Sequence, residues 1–147
     1  MQVVWFKRDL RTIDHRALAI AATKGDVLPL YVVEPDLWSQ SDMSGRQWSF
    51  IEETLNELRE ELAALGQPLV VRIGDVCDVL STLLARGLVS KIWSHEETGN
   101  AWTFARDQRV GAWCRAHGVK WTEVQNHGVQ RCLASRNGWA KSWDQLM

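Results

Sequence analysis

The feature that most constrains this chain is a regular alternation of short apolar runs with longer helical patterns. Strand and helix patterns alternate five times. Apolar runs of this length, with few polar interruptions, are typical of strands buried on both faces of a parallel sheet. Right-handed crossovers would place the intervening helices on both faces. We therefore predict an α/β fold, a Rossmann-like doubly wound five-stranded parallel sheet with strand order 3-2-1-4-5. The predicted strands are Gln2–Phe6, Val27–Val33, Leu69–Ile73, Val89–Ser94 and Val119–Val124.

The strongest helical pattern lies between the second and third predicted strands. Its apolar residues recur at alternating steps of three and four and form one stripe, and Gly66 ends it. The stripe consists of Trp48, Ile51, Leu55, Leu58, Leu62 and Leu65. The other predicted helices run from an Asp14 cap to near Gly25, from Asp75 to Arg86, from an Asn100 cap to about His117, and, more weakly, from Trp139 to Leu146. The segments Leu37–Gly45 and His95–Gly99 are predicted to be loops, and the turn signals near Gly128 and Gly138 follow the last strand.

Length, charge and cysteine content exclude several classes of protein. The 147 residues suit one domain, and the formal net charge of −1 argues against binding nucleic acid by charge alone. Three widely separated cysteines form no disulfide framework, which favours a reducing, cytoplasmic setting. No apolar run is long enough to span a bilayer, and no secretory signal precedes the first strand.

Common catalytic patterns are missing. No G-x-G-x-x-G follows the first strand, no phosphate-binding G-x-x-x-x-G-K-[ST] occurs, and no G-x-S-x-G is present. Cys114 and His117 are spaced like half of a metal site, but no second pair completes it. We therefore predict neither catalytic nor metal-binding residues.

Two polar groups follow strands that would be neighbours in this sheet. Lys7 and Arg8 come directly after strand one, and His95 and Glu97 come after strand four. Ligands of open α/β sheets bind outside the carboxyl ends of the strands at such a switch point. Arg46, at the start of the long helix, could reach the same crevice as a charged donor. The alternative is that these residues only pair with one another and with helix ends.

These same residues carry a family resemblance. The stretch from Val3 to Leu18, VVWFKRDLRTIDHRAL, closely resembles the opening of the DNA photolyase and cryptochrome family, whose pattern is W-F-R-x-D-L-R followed by D and A-L. The stretch from Ser94 to Asn100, SHEETGN, with Arg106 and Asp107 behind it, is similar to that family's motif after strand four. Arg46 and the helix behind it, and the segment Asn137–Ala140, also resemble the family, so the likeness covers nearly the whole chain.

The resemblance implies a cofactor and its binding residues. The family's amino-terminal α/β domain holds a light-harvesting antenna chromophore, which is a reduced folate, an 8-hydroxy-deazaflavin, FMN or a lumazine. A much larger helical domain holds FAD and performs light-driven DNA repair or blue-light signalling. By resemblance, the cofactor-binding residues are Phe6, Lys7, Arg8, Arg46, His95 and Glu97.

We expect residues 1–147 to correspond to the antenna domain alone, without the FAD-binding helical domain. The resemblance then implies a photolyase-type lyase as parent, no repair activity for this chain alone, and contact with damaged DNA only through the parent. The face that meets the helical domain, near Trp139, Trp143 and Leu146, would be exposed and could promote self-association.

Two other functions remain open from the residues alone. One is a stand-alone nucleotide-binding module of the universal-stress-protein class, which favours a glycine-rich phosphate loop late in the chain. The late turns near Gly128 and Gly138 do not form such a loop. The other is a protein-docking domain with an empty pocket.

Overall fold

A computed structural model of the chain describes residues 1–126, 128–129, 135 and 137–146. The described residues form one five-stranded sheet in which all neighbouring strands are parallel, with the order β3-β2-β1-β4-β5. The predicted fold class and strand order are therefore confirmed. In chain order the elements are β1 Gln2–Phe6, α1 Arg16–Ala22, β2 Val27–Val33, α2 Pro35–Trp38, α3 Gly45–Ala64, β3 Val70–Ile73, α4 Val76–Ala85, β4 Lys91–His95, α5 Ala101–Ala116, β5 Lys120–Val124 and α6 Trp139–Leu146.

The central strand β1 divides the core into two layers. Val4 and Phe6 pack with buried residues of α1 and α3, whereas Val3 and Trp5 pack with buried residues of α4 and α5. This separation follows from the strand itself, because successive side chains point to opposite faces of a sheet. All four side chains are at most 1% exposed. The sheet thus carries helices on both faces, as the alternating pattern predicts.

The amphipathic stripe of α3 is buried only in its middle. Leu55, Leu58 and Leu62 are buried, whereas Leu65 is 68% exposed. Leu65 is the C-cap and no longer has helical backbone angles, so its side chain does not continue the buried stripe. The helix begins at Gly45, where the Ser44 hydroxyl accepts a hydrogen bond from the Gln47 amide.

Two predictions about the loops beside the sheet were wrong. The segment Leu37–Gly45 is not entirely a loop, because its first residues complete the short helix α2, which starts with Pro35 in its first turn. Asp14 does not cap α1. It has a positive φ of 52°, and the cap is His15, whose Nδ1 accepts a hydrogen bond from the Leu18 amide.

The end of the chain is only partly described. The predicted terminal helix is present as α6, in which the rings of Trp139 and Trp143 lie 5.5 Å apart and are 44% and 37% exposed. The expected exposure of these two side chains is therefore observed. His127, Arg136 and the Leu146 side chain, which belong to the predicted turns and apolar face, lie outside what the structure describes.

Candidate functional site

A cavity of about 430 Å³ opens at the carboxyl ends of β1 and β2. The helix α2 and the first turns of α3 form its outer wall, and one residue of α5 closes its inner end. Its volume and largely apolar lining suit a small organic ligand. The lining residues are Trp5, Phe6, Lys7, Arg8, Tyr31, Val32, Glu34, Leu37, Trp38, Met43, Arg46, Gln47, Phe50, Ile51, Glu97 and Arg106.

The inner end of this main cavity is built around the guanidinium of Arg106. Its Nη1 donates to Glu34 Oε2 at 2.9 Å, and its Nη2 donates to Asp107 Oδ1 at 2.9 Å and to Glu97 Oε2. The guanidinium carbon lies 4.8 Å from the ring centre of Trp5. Three carboxylates and an aromatic face therefore hold one buried arginine in a fixed position.

Lys7 extends this arrangement toward β5. Its ammonium nitrogen lies 3.2 Å from Asp107 Oδ2 and 3.4 Å from Glu123 Oε1, and 5.0 Å from the ring centre of Trp5. The Lys7 side chain is only 3% exposed. Its charge is thus already neutralised within the protein, and Lys7 contributes to the cavity wall without offering a free cation.

We call Lys7, Glu34, Glu97, Arg106 and Asp107 the charge network. Their side chains are each between 3% and 6% exposed. The network has two cations and three carboxylates, so it carries a surplus of one negative charge when all five are ionised. Burial raises the pKa of Glu34, and only Arg106 offsets part of this effect. Burial would lower the pKa of Arg106, but Glu97, Asp107 and Glu34 together raise it, so the arginine stays charged.

Two buried polar atoms of the cavity wall have no hydrogen-bond partner among the described residues. One is Glu34 Oε1, and the other is the indole Nε1 of Trp38. The ring of Trp38 meets the ring of Trp48 edge-on, with the ring centres 5.0 Å apart. Buried polar atoms are normally paired, so these two indicate either a bound partner or a cost in stability.

The outer rim of the main cavity is cationic. The Arg8 side chain is 58% exposed, and its Nε lies 3.6 Å from Glu97 Oε1. Arg46 is exposed and forms no ion pair within the described ranges. Tyr31 lies deeper, where burial, followed by Glu34 and Glu97, raises the pKa of its hydroxyl to about 12. The cavity lining therefore combines an acidic charge network, an apolar body and two exposed arginines, one of which, Arg8, contacts that network.

Beside the main cavity, two histidines enclose one carboxylate. Asp9 Oδ2 lies 2.6 Å from His95 Nδ1 and 2.8 Å from His15 Nε2, and Asp9 Oδ1 accepts from the Lys7 amide at 3.0 Å. His15 Nε2 has no hydrogen-bond partner of good geometry among the described residues, so its approach to Asp9 is a close polar contact. Burial would raise the pKa of Asp9, but the histidine contacts and the Lys7 amide hold it well below its usual value.

The six cofactor-binding residues predicted from the sequence do not all line the same cavity. Phe6, Lys7, Arg8, Arg46 and Glu97 line the main cavity. His95 lines a separate minor cavity of about 190 Å³, together with Lys7, Arg8 and Glu97. It belongs to β4, not to the loop after it, and is 2% exposed. Lys7 and Glu97 thus lie on the same side of the molecule, as a shared crevice requires.

The main cavity does not lie at the predicted switch point between β1 and β4, whereas the minor cavity does. The main cavity lies over β1 and β2, because α2 and α3 rise beside β2 and supply its outer wall. Four residues at this site were therefore not predicted from the sequence: Glu34, Trp38, Tyr31 and, in this role, Arg106. One signal was available for Glu34, since it is the first residue after β2, at the same edge of the sheet as Lys7.

Comparison with known proteins decides the family. A family model described as DNA photolyase matches residues 2–138. The chain belongs to the DNA photolyase and cryptochrome family. It corresponds to that family's amino-terminal α/β domain, so the resemblance read from the sequence is confirmed.

Photolyases and cryptochromes are both among the relatives that are similar to the chain. It is 44% identical over 70 residues to a deoxyribodipyrimidine photo-lyase of Vibrio cholerae, which covers 47% of this chain and 15% of the relative. It is 31% identical over 103 residues to cryptochrome DASH, chloroplastic/mitochondrial, of Solanum lycopersicum, which covers 65% of this chain and 18% of the relative. The chain thus spans less than a fifth of the length of these two relatives.

Solved photolyase structures share the fold of this photolyase-family domain. An archaeal photolyase from Sulfolobus tokodaii, described as containing two FAD molecules and implying a novel light-harvesting cofactor, matches 99% of this chain and 34% of its own with a TM-score of 0.76 and 24% identity. A class III photolyase from Agrobacterium tumefaciens matches 93% of this chain and 28% of its own with a TM-score of 0.78 and 24% identity. At this identity the likeness concerns the fold.

Among the described residues, none of the helices combines the length and hydrophobicity needed to cross a bilayer.

Proposed function

We propose that this domain holds a flat antenna chromophore in the main cavity and presents it, within a longer parent chain, to FAD in a helical domain. The observation that supports this most directly is the composition of the cavity lining. It joins an apolar and aromatic body to a few fixed polar groups, which is the pattern of small-molecule sites. The parent would use the light for DNA repair or for blue-light signalling, since both photolyases and cryptochromes are among the relatives.

The residues present fit such a ligand. Trp38 and Phe50, from α2 and α3, line the cavity and offer aromatic surface that is not fully buried. Arg8 and Arg46 would attract an anionic tail such as a phosphate or carboxylate. Glu34 Oε1 would accept a hydrogen bond from a ring edge, and the unpaired indole N–H of Trp38 would donate one. When bound, a chromophore would absorb light and pass excitation energy on by dipole coupling.

What the chain itself must do is restrict the orientation of a ring and keep water away from it. Trp5 and Phe6 are at most 1% exposed and belong to the central strand, which is paired on both sides, so their positions are fixed by the sheet. The charge network fixes the inner end in the same way. No nucleophile or general acid is needed for this role. We therefore propose that the chain alone repairs no DNA, and light-dependent repair of pyrimidine dimers by the purified chain would contradict this.

Binding can be tested by equilibrium dialysis with FMN, an 8-hydroxy-5-deazaflavin, a methenyl-tetrahydrofolate and a ribityllumazine, with ATP as the alternative ligand. We expect one of the four chromophores to bind at one molecule per chain. A cavity-filling Met43→Trp substitution should weaken this binding at least tenfold. The matched control is Ile13→Trp, since Ile13 is 81% exposed and does not line the main cavity.

A second pair of variants tests the rim. Arg46→Ala should weaken binding several-fold without unfolding the domain, because a charge-assisted hydrogen bond contributes more than a neutral one. Arg59→Ala, an exposed arginine farther along the same helix, should leave binding unchanged. Binding of ATP alone would favour the nucleotide-binding module, and binding of no ligand would favour the docking domain.

A further inference from the structure

We propose that Glu34 is the specificity-determining residue of the main cavity, and that its unpaired carboxylate oxygen accepts a hydrogen bond from a ring N–H of the chromophore. The ligand class is then a planar heterocycle with a lactam or imide edge, in which an N–H lies beside a carbonyl. This inference rests on the proposed function and adds the chemistry of recognition to it.

The first argument is the geometry of Glu34. It precedes Pro35 as the N-cap of α2, yet its side chain makes no capping hydrogen bond. The side chain instead lies in the cavity wall, where Oε2 accepts from Arg106 Nη1 at 2.9 Å and Oε1 accepts nothing from the described part of the chain. A buried carboxylate oxygen without a donor is unfavourable. A ligand N–H at this position would remove that cost.

The second argument is charge. The charge network contains one more carboxylate than cations, so the inner end of the cavity repels an anionic ring edge and favours a hydrogen-bond donor. Arg46, in the first turn of α3, also lines the cavity and is exposed. An amphiphilic ligand would therefore place its N–H edge at Glu34 and its anionic tail at Arg46.

Trp38 is the second unpaired polar group of this cavity. It ends α2, four residues after Glu34, and both residues line the main cavity. Its indole N–H is buried and has no acceptor among the described residues. An acceptor at Glu34 and a donor at Trp38 match an N–H and an adjacent carbonyl. Reduced folates, deazaflavins, FMN and lumazines all carry such an edge on their pyrimidine-type ring.

The test compares a chromophore with its N-methylated analogue. FMN, an 8-hydroxy-5-deazaflavin, a methenyl-tetrahydrofolate and a ribityllumazine are titrated by equilibrium dialysis, and the tightest ligand is compared with its N3-methyl form. We expect the wild-type chain to prefer the unmethylated ligand at least roughly tenfold, as a hydrogen bond to a charged acceptor should. Glu34→Gln should weaken binding of the unmethylated ligand and reduce the preference to within about threefold.

Asp36→Asn is the matched control, because Asp36 is an exposed carboxylate of the same helix that does not line the main cavity. It should leave both affinities unchanged. Trp38→Phe supplies a second variant, which should weaken binding of the unmethylated ligand even if Glu34→Gln does not fold.

The outcomes separate the two proposals. If the wild-type chain binds the methylated and unmethylated ligands equally well, the role of Glu34 is overturned while the antenna function stands. The same conclusion follows if Glu34→Gln folds and keeps the full preference. If none of the four chromophores binds the wild-type chain, the proposed function fails and the role of Glu34 fails with it.

Discussion

Replacing Arg106 by Met should destabilise the domain far more than any exposed arginine substitution. Met has a similar length and keeps an apolar stem against Trp5, so the main change is the loss of the charge. That charge now compensates Glu34, Glu97 and Asp107. Removing one partner of a buried ion pair typically costs about 3–5 kcal/mol, because the other charge is left buried and unpaired.

We expect Arg106→Met to lower the free energy of unfolding by about 3–5 kcal/mol. The cost does not triple although three carboxylates lose their counter-ion, because these carboxylates can take up protons. For a domain of this size each kcal/mol lowers Tm by about 2–4 °C, so the expected decrease is about 6–20 °C. Native domains are stable by only about 5–15 kcal/mol, so the variant should fold but be only marginally stable.

Urea unfolding followed by circular dichroism measures this loss. Arg109→Met is the control, since Arg109 pairs with Asp75 at 3.0 Å but is 55% exposed, and should cost less than about 1 kcal/mol. Burial already raises the pKa of Glu34, and without Arg106 that pKa should rise further, so the destabilising effect of ionised Glu34 is smallest at low pH and grows as pH rises through that value. The difference from wild type should therefore narrow toward pH 5. A loss below about 1 kcal/mol at pH 8 would refute the argument that Arg106 is the required counter-ion.

Three further predictions concern the core and the titrating groups. The pKa of Asp9 is lowered in the folded chain, so its stabilising contribution is fully present above the unfolded pKa of 3.8 and is lost as pH falls. Asp9→Asn should therefore destabilise the chain at pH 7, and urea midpoints should show the difference from wild type shrinking toward pH 3. Leu58→Ala should cost about 2–5 kcal/mol in urea unfolding because Leu58 is 2% exposed, whereas Leu65→Ala, at a 68% exposed position, should stay within about 0.5 kcal/mol. Burial raises the pKa of Cys77 and Cys114 to about 11, so mass spectrometry should find both slowly alkylated at pH 8 until the chain is unfolded.

The sheet and its order could be predicted because the signal extends over the whole chain. The strands β1 and β2 are nearly continuous apolar runs, and the long helix α3 repeats its pattern over several turns. Strand starts were less accurate, since Leu69, Val89 and Val119 precede the hydrogen-bonded strands that begin at Val70, Lys91 and Lys120. These three residues are apolar and buried but are not hydrogen-bonded in the sheet. Residue type alone cannot distinguish a buried residue from one that is paired in a strand.

Short and unusual elements could not be predicted. The helix α2 has four residues, too few for any periodicity to appear. The α1 cap uses a histidine ring nitrogen, whereas Asp14, a residue type that commonly caps helices, lies one position earlier with a left-handed backbone. Because α2 forms part of the cavity wall, the main cavity over β1 and β2 could not be predicted without it.

One combined variant separates a role of the charge network in ligand recognition from a role in stability. Replacing a buried set of ion pairs by apolar side chains of similar volume is often neutral or stabilising, by about 1–4 kcal/mol. Glu34→Leu, Glu97→Leu and Arg106→Met together would leave Asp107 paired with Lys7 at 3.2 Å. The combined variant should therefore recover most of the stability that Arg106→Met alone loses, yet it should bind no chromophore, because the polar inner end of the cavity is gone. If it were as unstable as the single variant, the network would be needed for folding, and its surplus charge would no longer point to a ligand.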